Sequence, residues 1–252
     1  MGHERVGKLP RTTRWRELVA RTGVAQNRSD VQRIAADTID AVRDRLGALS
    51  REGGTLAAFG FLVELACSNR DTDGTAPDLL SNPSALQLVS ALKERVDADA
   101  DSREYAELAA RAASTAIIQW TREHEQRLDL FEGPASARQV WSRAHTGAGF
   151  SDLTRTFFGD LVGRYLKYFL EREVSERSSG VAQREHFVRQ LSEHVDAIAK
   201  HAFETSRIAQ SFAAGWYNKH AKDGTPSPQV QRAFLRYALT KLRNELARER
   251  DA

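Results

Sequence analysis

Apolar residues recur at spacings of three and four along almost the whole chain, and alternating β-branched runs between hairpin turns are absent. The pattern predicts an all-α protein. Its longest stretch is a seam of nine positions, Val188, Leu191, Val195, Ile198, Ala202, Thr205, Ala209, Phe212 and Trp216, at strictly alternating threes and fours, of which eight are apolar. A seam of that length describes a long helix, near residues 182–219, laid along another helix. Ile198 and Phe212 are expected to be buried in it.

The remaining stripes and breakers predict eight to ten helices in a multi-helix bundle. A basic arm over residues 1–11 leads into a short helix carrying Trp15, Leu18 and Val19 and stopped by Gly23. Ser29 with Gln32 reads as a capping box for a helix whose stripe runs Val31, Ile34, Thr38, Val42, Leu46 and Leu49 and ends before Gly53 and Gly54. Thr55 is the expected N-cap of the apolar helix that follows, to Cys67, and Asn82 the expected N-cap of the next, with Pro83 at its first position. A helix starting near Ser102 carries Tyr105, Leu108, Ala112, Ala116, Trp120, His124, Leu128 and Phe131.

Gly133, Pro134, Gly147 and Gly149 read as breakers around a short helix with Val140 and Trp141. They make residues 133–150 a connecting segment between an N-terminal helical subdomain, 1–132, and a C-terminal part, 151–252, unless the two form one continuous domain. The C-terminal part opens with an aromatic helix (Phe157, Phe158, Leu161, Val162, Tyr165, Phe169). A turn at 178–180 then makes the heptad helix its antiparallel neighbour. A final helix runs from about Gln229 to Arg248.

With 252 residues and 41% hydrophobic content the chain can bury a full core. The longest apolar run, residues 56–67, has 12 residues and includes Glu64, short of the roughly 20 that cross a bilayer. The single cysteine, Cys67, cannot form an internal disulfide, and no basic stretch followed by an apolar one opens the chain, so the expected location is the cytoplasm. Gly2 does not signal myristoylation, because Val6 stands where Ser or Thr is required. No membrane association is expected.

Charge is distributed unevenly. Residues 1–28 carry seven Lys or Arg against two acids and residues 226–252 six against three, while the chain totals +3, which leaves the middle at −5. Basic ends around an acidic middle suit partners or self-association better than a uniform polyanion-binding surface. On the last helix Arg232, Arg236, Arg243 and Arg250 fall within about 40° of one another at 100° per residue, beside Leu235, Leu239, Leu242 and Leu246. With Arg11, Arg14 and Arg16 in the first segment, these arginines are the candidate partner-binding residues.

Motifs for chemistry are incomplete. Residues 2–8 fit the opening of a phosphate-binding P-loop, but Leu9 stands where a hydroxyl should reach magnesium and no strand can precede the loop. Gly149, Ser151 and Leu153 lack the closing glycine of a nucleophile elbow. The polar segment after Cys67 resembles a calcium loop only until Asn82, which occupies the place of the closing glutamate counted from Asp71. There is no Glu-x-x-His or His-Glu-x-x-His; Glu193 with His194, and His201 with Glu204, are isolated ligand types. No catalytic residue, metal or cofactor is therefore expected. Two ionisable residues stand where apolar ones belong: Glu64, expected to pair with an arginine of another helix, and His124, expected at a bundle end.

Arg189 with His194, and Arg138 with His145, are similar in spacing to the Arg and His that HEPN-type helical ribonucleases carry on their bundle. That resemblance implies RNA cleavage through His194. With 30 arginines in the chain, about two such matches arise by chance. The sequence points instead to a non-enzymatic helical interaction or adaptor subunit of a larger cytoplasmic assembly, whose partner is another protein subunit. Homo-oligomerisation through the heptad face is also allowed. Nucleic-acid binding through the basic termini is the alternative, and a HEPN-like ribonuclease the third.

Overall fold

The computed structural model describes residues 46–68, 81–125, 136–177, 207–222 and 224–248, with isolated positions 13, 17, 185 and 189. Among these there are eight helices and no strand: α1 (Leu46–Leu49), α2 (Gly53–Cys67), α3 (Ala85–Asp99), α4 (Arg103–Glu125), α5 (Ala137–Ser142), α6 (Gly147–Arg177), α7 (Arg207–His220) and α8 (Pro228–Arg248). None of the described helices is long and apolar enough to cross a membrane.

α2 is the axis of the bundle. Its sequence has no polar face, and a helix apolar all round is stable in water only when neighbours cover every side. Residues from Gly54 to Cys67 are buried with the one exception of Leu56, and α3, α4, α5, α6 and α8 all pack against it. Small residues permit the closest approaches: Ala109, Ala112, Ala113 and Ala116 of α4 are buried, and a Cβ added to Gly54 would stand 2.6 Å from the Cβ of Ala106. Phe59 on α2 anchors the aromatic half of the core, stacking on Phe234 of α8 at 5.2 Å and lying 6.1 Å from Phe157 and Phe158 of α6.

Several boundaries differ from the sequence reading for tertiary reasons. The helix expected to start at Leu56 with Thr55 as its N-cap starts at Gly53, and its N-cap is Glu52, whose carboxylate accepts from the backbone of Gly54 and Thr55 and from the Thr55 hydroxyl. The same buried carboxylate accepts from Asp101 N at 3.0 Å and Ser102 N at 3.2 Å. One side chain thus serves the N-termini of α2 and α4 together. Gly53 does not break the chain but meets the backbone carbonyl of Asp99, a contact no Cβ would allow.

Asn82 is not an N-cap of α3. Ser84 caps that helix in a capping box with Gln87, while Asn82 adopts φ 53° and turns its side chain to accept from Ala137 N, at the first residue of α5. Gly147 and Gly149 likewise lie in the first turn of α6 rather than between elements, Gly149 because Arg143 O presses against it.

The start of α6 lies beside the end of α7: the Cβ position of Gly147 is 3.0 Å from Asn218 Nδ2, and Phe150 packs on Tyr217 at 4.9 Å. Phe158, further along α6, shares a crevice with Phe212, earlier on α7, so the two helices run antiparallel. Most of the heptad seam, including Ile198, lies outside the described residues. Within α7, Trp216 is buried, whereas Phe212, expected to be buried, is only half-buried, with one face against Phe234 at 5.3 Å and Tyr237 beside it at 4.0 Å. A single hydrophobic cluster takes members from Leu46 to Leu242 and runs through Val140, Trp141 and Ala144 of the segment between α4 and α6.

Candidate functional site

Leu235, Leu239 and Leu242 of α8 are buried, as their stripe requires, which leaves Arg232 and Arg236 exposed one turn apart on its flank. The helix is fixed from below by Gln231. Its buried amide donates to Pro226 O at 2.8 Å, and its Oε1 would lie 2.8 Å from a Cβ at Gly60, so a side chain there would have to displace the Gln231 amide. α1 then packs across that turn.

Between them opens a groove of about 580 Å³, with Gly47, Ser50 and Arg51 on one wall and Pro228, Gln229, Arg232, Ala233 and Arg236 on the other. Among the described residues three guanidiniums line it and no carboxylate does. Arg51, Arg232 and Arg236 make no salt bridge among the described residues. The acid nearest in sequence, Glu52, is turned inward and is consumed in capping α2 and α4. The tight turn after α1, held by Arg51 N donating to Ala48 O at 3.0 Å, faces Arg51 outward as Glu52 goes in. On the α1 wall a Cβ at Gly47 would meet nothing within 4 Å, and Ser50 is buried with its hydroxyl on Gly47 O at 2.8 Å. Such a concavity, cationic in its described lining, has the chemistry to hold an anion by forked hydrogen bonds.

Of the arginines singled out in the sequence, Arg232 and Arg236 are thus brought together. Arg243 is half-buried and does not line the groove, and Arg11, Arg14, Arg16 and Arg250 lie outside the described residues. Arg51 completes the set. No periodicity marks it, because it reaches α8 only through the packing of α1.

Several other candidates make contacts within the bundle. Glu64, 4% exposed, is clasped by both terminal nitrogens of Arg95 from α3, one of them at 2.7 Å. His124 lies in the last turn of α4 with Nδ1 2.8 Å from Trp120 O, its ring stacked on that tryptophan at 3.9 Å. His145 Nδ1 lies 3.0 Å from Ala66 O and 2.7 Å from the Tyr217 hydroxyl, so it ties the turn before α6 to the end of α2. Arg189 is exposed and His194 lies outside the described residues. Buried Cys67 turns its thiol towards Ala221 O at 3.5 Å. Among the described residues no three His, Cys, Asp or Glu gather to hold a metal. A crevice between Phe158, Phe212, Phe234 and Tyr237 has about 10 Å³ of free space, at most the size of one water.

No protein-family model, no curated protein and no solved structure matches this chain.

Proposed function

We propose that the protein is a non-enzymatic helical interaction subunit, an adaptor in a larger cytoplasmic assembly, and that the groove between α1 and α8 is where it docks an acidic segment of a partner protein. The observation that carries this reading is that Arg51, Arg232 and Arg236 line one concavity with no acid among its described lining residues. Clustered like charges repel one another and contribute nothing to folding. Three of them around one groove would gain charge-assisted hydrogen bonds from a bound anion. The surrounding helices supply the rigid frame that such a site needs.

Affinity capture from a native lysate tests it, comparing the wild-type chain with Arg232→Glu/Arg236→Glu. Losing a desolvated charge pair at an interface costs about 2 kcal/mol or more, which is about 30-fold in affinity. A discrete set of acidic partners should therefore vanish from the variant's profile. Unchanged capture would refute the docking role. Retention of nucleic acid whose strength falls steeply with added salt would move the assignment to the nucleic-acid alternative.

A further inference from the structure

We infer that the anion read by this groove is a phosphorylated side chain, a phosphoserine or phosphothreonine in the partner's docking segment. This rests on the acidic-partner reading and narrows it. A carboxylate carries one charge on two oxygens and is saturated by one or two guanidinium forks, whereas a phosphoryl group carries nearly two charges on three oxygens and accepts from several forks at once. Here three arginines address one concavity from two walls: Arg51 from the turn after α1, Arg232 and Arg236 from successive turns of α8. Their charge is matched far better by a dianion than by a single carboxylate.

The shape points the same way. A volume of about 580 Å³ is that of a ligand cleft, with room for a side chain and its flanking backbone as well as the anion. Gly47, which has nothing within 4 Å of its Cβ position, leaves one wall low. The 21-residue helix α8 starts at the groove with Pro228, whose missing N–H is one the first turn would leave unbonded anyway. Its N-terminal partial charge has the same sign as the arginines. A nucleic-acid backbone, by contrast, presents phosphates in a track and is held by a track of cations; these three line a single groove.

Fluorescence anisotropy of the full chain would test this with three labelled nine-residue Ala/Gly peptides, whose centres carry one phosphoserine, one serine, or three consecutive glutamates. The phosphoserine peptide should bind at least tenfold more tightly than the glutamate peptide, and the serine peptide should not bind. Its affinity should fall as pH is lowered through about 6, where the phosphoryl group takes up its second proton. Arg51→Ala and Arg232→Ala should each weaken it about tenfold, and Arg232→Lys should fail to restore the full affinity because the fork is gone. Gly47→Glu, which adds a carboxylate to the groove at a position with open space, should abolish binding while circular dichroism and melting stay unchanged.

Equal binding of the glutamate peptide would overturn the phosphoryl inference and leave the acidic-partner reading standing. Phosphoserine binding that survives both Gly47→Glu and Arg51→Ala would overturn the assignment to this groove. Failure of all three peptides would overturn the inference alone, since the affinity capture decides the broader reading independently. A twenty-nucleotide oligothymidylate binding more tightly than the phosphoserine peptide, with a steep salt slope, would assign the groove to nucleic acid instead.

Discussion

Arg95 on α3 and Arg232 on α8 are the same residue type on helices of the same bundle, and their surroundings are opposite. Arg95 reaches across to Glu64 and neutralises a carboxylate that would otherwise stand bare in the apolar wall of α2. Arg232 faces a groove in which its neighbours are Arg51 and Arg236. Even adjacent residues divide in this way: Glu52 goes inward and is used up by hydrogen bonds to two helix starts, while Arg51 goes outward and has no such use. Charges that stabilise this fold are thus enclosed and matched. At the groove, three arginines line one concavity and none of them has a carboxylate partner among the described residues.

The difference makes sharp, ordered expectations. The largest effect belongs to Glu52→Ala, which strips the acceptor from several backbone N–H groups at the starts of α2 and α4. Each buried donor left unsatisfied costs about 1–3 kcal/mol, so thermal or urea unfolding should show a loss of about 4 kcal/mol. Next is Arg95→Ala. Removing one partner of a buried pair costs about 3–5 kcal/mol, and because the Arg95 side chain is 39% exposed water will relieve part of this, so about 2–3 kcal/mol is expected. The double replacement Glu64→Leu/Arg95→Leu should recover most of the loss, since an apolar pair of similar volume satisfies the same wall. If it does not, the pair does more than permit Glu64 to be buried.

At the groove, the same chemistry of substitution should be almost silent for stability. Arg232→Ala or Arg236→Ala should shift unfolding by no more than about 0.5 kcal/mol, and a slight gain is expected from the removal of like-charge repulsion between residues four apart on a helix. Stability measurements on these variants and on Arg95→Ala, made side by side, would break the comparison if the two groups responded alike.

Helix class and the burial of individual stripes were legible because they are local: Leu235, Leu239 and Leu242 needed only their spacing, and Ser102 opens α4 as its position suggests. The pairing of Glu64 was legible as a kind of interaction, but Arg95 as its partner was not, since that depends on how α3 lies against α2. Glycine was the most misleading residue. Gly147 and Gly149 read as chain breakers, yet both lie in the first turn of α6, Gly149 where Arg143 O comes too near for a side chain; Gly53 and Gly54, read as following the end of a helix, do follow α1 but also open α2, where Asp99 and Ala106 come too near. Close approach is a property of two elements and leaves no mark in one. Two of the groove's arginines were visible on their helix face, and the third was hidden for the same reason, because α1 and α8 meet only in the folded chain.

Site-specific photocrosslinking inside cells tests the central claim most directly. A benzoylphenylalanine placed at Ala233, exposed and lining the groove beside Arg232, would be compared with one at Ile118, which is 46% exposed on α4 and does not line the groove. The account predicts a discrete adduct with an acidic protein from position 233, none from 118, and loss of that adduct when Arg232→Glu/Arg236→Glu is added. Equal labelling from the two positions, or an adduct at 233 that survives the double reversal, would contradict it.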